Sequence, residues 1–114
     1  MALTMTSGKS HARRIATWAA ETTAGNASIS RYAPLVSAST ASVQVTGTFG
    51  GATVVLQGSN DGTNYVTIKD LTGTDISLTS AGIREFSSGC AFFKPSISGG
   101  TGDSLTITLA HWAG

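Results

Sequence analysis

The side chains able to do chemistry are few. His11 and His111 stand near opposite ends of the 114-residue chain, and Cys90 is its one thiol. A nucleophile and its base need only meet in the fold, so a Cys90–His pair is chemically open, but nothing marks a third group to orient the base. No C-x-x-C or H-x-x-x-H spacing offers a zinc site. The densest run of oxygen ligands is "SNDGTN", Ser59 to Asn64. There Asn60, Asp61 and Asn64, with Asp70 or Asp75, could offer oxygens to calcium, which takes roughly six to eight. The stretch lacks the alternating acidic positions and the closing Glu of a calcium loop. Asp-Gly satisfies a turn directly, because Asn60 and Asp61 can bond local backbone N–H groups and Gly62 tolerates the left-handed conformation. The hexapeptide therefore reads as a corner, with an ion site as the weaker alternative. No catalytic residue, metal ligand or cofactor is expected, and the chain is read as not an enzyme.

The elements around that corner are strands. In "SVQVTGTF" Val43, Val45 and Phe49 alternate with Gln44, Thr46 and Thr48, the period of a half-buried strand. Gly50 and Gly51 supply the positive φ angles of a tight hairpin, which predicts that "ATVVLQG" returns antiparallel with Val54 and Leu56 on the core face. Val66 and Ile68 are expected to share one side of "YVTIKD". Ile76, Leu78, Ile83 and Phe86 continue the pattern through "TDISLT" and "IREF", followed by "CAFFKPSIS" and "DSLTITLAHW". Pro95 has no N–H, so its strand should lie at a sheet edge or break there. "QVTGTFGGATVVL" and "PSISGGTGDSLTITL" share one grammar of strand, glycine-rich connection and strand. Short strands with glycine turns predict an all-β antiparallel sandwich, either jelly-roll or immunoglobulin-like.

Composition narrows the function. Charged residues make up 11% of the chain and the formal net charge is +1, so the surface is hydroxyl-rich and suits a protein packed against other proteins. Before residue 35 stand Lys9, Arg13, Arg14 and Arg31 against Glu21; the remainder is mildly acidic. Four dispersed cations make few phosphate contacts, so no nucleic acid is expected as partner. A lone cysteine excludes a disulfide scaffold within the chain, and Cys90 is expected to be a small buried hydrophobe. No stretch has the apolar length of a signal-peptide core or of a membrane span, so a cytoplasmic origin and no membrane partner are expected.

Residues 1–34 read as an extended N-terminal arm with short strands at "RIATW" and "RYAPLVS", ahead of a sandwich domain at 35–114. Ile15, Trp18, Ile29, Tyr32 and Leu35 are the expected docking anchors of that arm, with Arg13, Arg14 and Arg31 pairing with carboxylates at the rim. Trp112 lies on the parity opposite Leu105, Ile107 and Leu109, so it is expected to face a partner.

The run from Val43 to Pro95 resembles a unit of small tailed-bacteriophage structural proteins. The residues that carry the resemblance are the glycine hairpin, "VVLQGSNDGTNY", the "AG" ahead of "IREF", and "FFKPSISGG". It is most similar to the head decoration, or cement, class. The resemblance implies a structural virion protein that binds the outer surface of a phage head and stabilises contacts between major capsid protein subunits. It also implies synthesis in the host bacterial cytoplasm. Ordering a free arm costs about 1–2 kcal/mol per residue, so binding needs several anchors at once, and self-association as a dimer or trimer is expected. Similar sandwich modules occur in tails and fibres, so a module binding host surface carbohydrate is the alternative.

Overall fold

In the computed structural model, residues 3–7, 13–34 and 38–112 are described. The strands are β1 (Leu3–Ser7), β2 (Arg13–Glu21), β3 (Ala38–Thr48), β4 (Thr53–Ser59), β5 (Val66–Thr67), β6 (Ser77–Leu78), β7 (Gly82–Ser88), β8 (Phe92–Ser98) and β9 (Ser104–Trp112). The only helical element among the described residues is a 3₁₀ turn at Asn26–Ser28. All pairings are antiparallel. One sheet has five strands in the order β1-β2-β9-β3-β7; in the other, β4 is flanked by β8 on one edge and by β5 and β6 on the opposite edge.

The pairs nest. β2 pairs with β9, Tyr32 bridges to Phe93 in β8, β3 pairs with β7, and β4 pairs with β5 and β6. A long hairpin wrapped in this way, its successive pairs falling in alternate sheets, is the jelly-roll topology and not the immunoglobulin one.

That topology corrects the reading of Gly50 and Gly51. Both glycines take positive φ, and the Ala52 N–H closes the turn on the Phe49 carbonyl at 2.8 Å. Yet β3 and β4 do not pair, because the turn carries the chain from one sheet to the other. "PSISGGTGDSLTITL" does the same in reverse between β8 and β9. The two corners meet: the Thr101 N–H donates to the Gly50 carbonyl at 3.0 Å, and a side chain on Gly50 would run into the Thr101 carbonyl.

The core lies between the sheets. Trp18, Val45, Phe86, Leu105, Ile107 and Leu109 enter from the five-stranded sheet, and Val54, Leu56, Phe93 and Ile97 from the other. Phe86 and Phe93 meet across it with ring centroids 5.9 Å apart, a separation typical of favourable tilted aromatic pairs. Two expected core residues face outward. Val66 is 69% exposed because β5 lasts only two residues, and Ile83 is 55% exposed because it has the parity opposite to Phe86. Ile68, Ile76 and Leu78 are buried as expected.

Pro95 sits where its missing donor costs nothing. β8 is an edge strand, and the Phe93 and Ile97 N–H groups point away from β4, toward Tyr32 O and Asn26 Oδ1. By alternation Pro95 holds the position between them. The segment after β2 thus straps the β8 edge, covering backbone groups that would otherwise template pairing with another chain.

Residues 13–34 are therefore part of the sandwich. Arg13–Glu21 forms an interior strand between β1 and β9, because its alternating Ala16 and Trp18 supply a buried face. Its register breaks between Trp18 and Glu21, where Ala20 takes φ 54°. This bulge turns Glu21 into the core, fully buried.

Candidate functional site

The residues expected to dock on a partner separate into two groups. Trp18, Ile29 and Tyr32 are 0%, 6% and 5% exposed and belong to this chain's own core. The Trp18 indole Nε1 donates to the Ser30 carbonyl at 2.7 Å, and the Tyr32 hydroxyl meets His111 Nε2 at 2.6 Å, joining the strap to β9. Burial pushes the Tyr32 hydroxyl above its ordinary pKa, partly offset by the Arg14 charge. Arg13 and Arg31 are exposed, while Arg14 and Ile15 are half-buried. Leu35 lies outside the described residues, as does His11. β9 runs through Trp112, whose backbone is opposite Arg13; the outward orientation expected of its side chain falls outside what the structure describes.

Of the candidate catalytic groups, His111 and Cys90 are among the described residues. His111 is engaged by Tyr32 inside the sandwich. Cys90 is half-buried beside Gly58 and Ile68, and partly packs on the core. Glu21 is the group that sequence reasoning missed: its carboxyl is fully buried, with no hydrogen-bond partner on either oxygen. Burial pushes its pKa up. Its only signal in the sequence is that it is the one acid before residue 35.

The hexapeptide is a corner between β4 and β5. The Ser59 hydroxyl accepts from the Asp61 and Gly62 N–H groups and donates to Asp61 Oδ1. The Asp61 carboxylate accepts from the Thr63 and Asn64 N–H groups and the Asn64 amide, each at 2.8 Å. The Asn64 N–H and amide, then the Thr63 N–H and Ser59 hydroxyl, hold its pKa well below the carboxylate range. Asn60 Oδ1 accepts from the Ala91 N–H at 3.1 Å, tying the corner to the start of β8. Asp70 turns inward on its own loop, accepting from Thr72 and Thr74, and Asp75 pairs with Lys69 at 2.8 Å. Among the described residues no three His, Cys, Asp or Glu side chains group as metal ligands.

Among the described residues the two sheets present different outer faces. On the outer side of the four-stranded sheet the Arg31 guanidinium lies 4.4 Å from the Phe92 ring centroid and donates to the Gly62 carbonyl at 3.4 Å. Nearby, Lys94 Nζ sits 4.6 Å from the Tyr65 centroid. At the β7 edge of the five-stranded sheet, a depression of about 510 Å³ is lined by Ser42, Asp70, Leu71, Thr72, Ile83, Arg84 and Glu85. Leu71 is 63% exposed there, held by its N–H to the Glu85 carbonyl at 3.0 Å. Between β7 and β2 the outer face carries Thr17, Thr108 and Gln44 in one cross-strand row and Ile15, Ala110 and Ser42 in the next.

No family model matches the chain, and no curated protein matches it. Its fold is shared with solved structures. The SPBc2 prophage-derived protein YomS aligns over 86% of this chain and 93% of its own, at TM-score 0.59 and 9% identity. Weaker likenesses are to FeII HppE, at TM-score 0.43 with 6% identity over 89% of this chain and 43% of that one. A Cupin_2 domain of an XRE family transcriptional regulator from Enterobacter cloacae aligns over both full lengths at TM-score 0.39 and 12% identity. The fold class is an antiparallel β-sandwich, and among the described residues no helix is long and apolar enough to cross a membrane.

Proposed function

We propose that this chain is a structural protein of a phage particle, a decoration or cement protein that binds the outside of the head and stabilises contacts between major capsid protein subunits. The observation that carries the reading is the sandwich shared, nearly end to end, with a prophage-derived protein. The phage-like run from Val43 to Pro95 extends from within β3 to within β8 of that sandwich. The exterior fits the role. It is poor in charge and rich in hydroxyls, so it can be covered by another protein without stripping many ions of water. The role is non-catalytic, with the capsid protein and further copies of this chain as partners, and it places the protein on the outer capsid surface.

The reading as a tail or fibre module that binds carbohydrate rests on exposed aromatic faces. Tyr65 and Phe92 are half-buried, and Lys94 and Arg31 occupy space over their rings, which favours decoration. The test is to mix the purified protein with capsids that lack it. Co-sedimentation and a higher capsid melting temperature are expected; free protein in the supernatant and unchanged capsid stability would exclude decoration.

A further inference from the structure

We infer that the end of β2 has two registers and that Glu21 chooses between them by its charge: as a neutral acid it holds the bulge and clamps the strap, and as a carboxylate it moves to water and loosens the strap. The inference does not depend on the decoration reading.

The second register is contained in the strand's own sequence. Ala16 and Trp18 point inward, and unbroken alternation would send Ala20 inward next and Glu21 out to solvent. The bulge reverses both. Ala20 is exposed, and Glu21 lies opposite Leu105 in the core. A slip of one residue exchanges the faces of the residues it moves, so it would seat Ala20 against Leu105. Either register fills that position, one with a carboxyl group and the other with a methyl.

Two features of the bulged register are unfavourable. Ala20 has φ 54°, the only positive value outside glycine among the described residues, and the left-handed region disfavours a residue with a side chain. Both Glu21 oxygens are buried without a hydrogen-bond partner, which a neutral acid tolerates far better than a carboxylate. Against these stand three hydrogen bonds that need Thr23 where the bulge puts it. Its N–H and hydroxyl both donate to Asp103 Oδ2 at 2.8 Å, and its hydroxyl accepts from the Gly100 N–H at 2.9 Å. A slip carries Thr23 about 3.3 Å along the strand, which breaks its grip on the corner between β8 and β9. While Glu21 is neutral the grip wins, and ionisation reverses the balance.

Two other titratable groups bear on the site. Burial raises the pKa of Asp103, but the Thr23 hydroxyl and N–H outweigh it and hold the group below its ordinary value, as a carboxylate. The amino terminus attracts the Glu21 charge and offsets part of the effect of burial. β9 and β3 present Leu105 and Gly47 in the same row as Glu21, neither of them charged. Burial is the larger effect, so the bulged register holds the proton more tightly than the slipped one, where the ordinary value of 4.5 applies. The sign follows: the bulge is fully favoured below pH 4.5 and loses about tenfold to the slipped register for each pH unit up to its own raised pKa.

Nuclear magnetic resonance of the native chain between pH 4.5 and 7.5 tests the inference. At pH 4.5 cross-strand contacts are expected to place Glu21 opposite Leu105. As pH rises, contacts that place Ala20 opposite Leu105 should replace them, and the Thr23 and Gly100 amide signals should shift together while those of β3 stay. Glu21→Gln cannot ionise and should keep the bulge throughout. Ala20→Gly relieves the left-handed position, so it should favour the bulge by about tenfold and delay the slip by about one pH unit. One register throughout in the native chain, an equal slip in Glu21→Gln, or an Ala20→Gly slip at the native pH would overturn the inference. Loss of the β3 and β9 signals together with those of Thr23 would overturn it as well, since that is global unfolding and not a change of register.

Discussion

Glu21→Gln should remove the pH dependence that this one carboxyl gives to stability above pH 4.5. Glu21 is fully buried with neither carboxyl oxygen hydrogen-bonded, and burial holds its pKa above the ordinary 4.5. The sign follows from linkage. The folded chain retains the proton that the unfolded chain releases, so the contribution of Glu21 is most favourable below pH 4.5 and is lost as pH rises toward the folded pKa. Each pH unit in that window costs about 1.4 kcal/mol, a ceiling of ~3.5 kcal/mol by pH 7 if the carboxyl stays protonated throughout. A group that ionises part-way stops the decline there, so the loss falls short of that ceiling. Glutamine keeps the shape and the unsatisfied polarity but cannot ionise, so the difference between the two proteins isolates the proton. Urea unfolding of both at pH 5, 6 and 7 measures it. Native protein and variant should converge near pH 4.5 and separate as pH rises, the variant becoming the more stable. Parallel stability curves across that range would refute the account of Glu21 as an unpartnered buried acid.

Other expectations follow from the packing. Trp18→Ala should cost about 3–5 kcal/mol and loosen the strap, since the indole is fully buried and holds Ser30; thermal unfolding checks the first, and amide exchange at Tyr32 and Phe93 the second. Tyr32→Phe should destabilise by about 1–3 kcal/mol, because it strips the buried His111 ring nitrogen of its hydroxyl partner. Gly50→Ala should destabilise strongly through both its φ of 54° and the collision with the Thr101 carbonyl, whereas Gly73→Ala, with no neighbour within 4 Å of the added carbon, should pay for its positive φ alone. Asp61→Ala should speed amide exchange at Thr63 and Asn64, which lose their acceptor; unchanged exchange would mean that the carboxylate does not hold the corner.

Much of this fold was legible because period two is a local signal. Val43, Val45, Val54 and Leu56 could be placed on a buried face from alternation alone, and the backbone-bonding capacity of "SNDGTN" identified the corner that Asp61 holds together. Pro95 announced an edge strand through its missing donor. What alternation could not convey was which strand is the neighbour. Gly50 and Gly51 make the turn expected of them, but a turn can join two strands of one sheet or pass between sheets, and the choice depends on contacts with Thr101, fifty residues away. Ile83 and Val66 lie outside for a related reason: apolar character alone suits burial, but parity for one and a two-residue strand for the other set them at the surface. The anchors Trp18, Ile29 and Tyr32 carry aromatic and aliphatic surface that suits a partner as well as a core, and it takes the pairing of β2 with β9 and of Tyr32 with Phe93 to commit them to the core. Glu21 was illegible because a bulge, with Ala20 in the left-handed region, reversed its face.

The central claim is that this sandwich acts by binding other proteins of a phage particle. Electron microscopy of capsids incubated with the purified protein tests it most directly. The account predicts ordered density of this size at repeated positions on the outer shell, and shells that withstand more heat with it than without. Bare shells at saturating protein, with unchanged thermal stability, would contradict it.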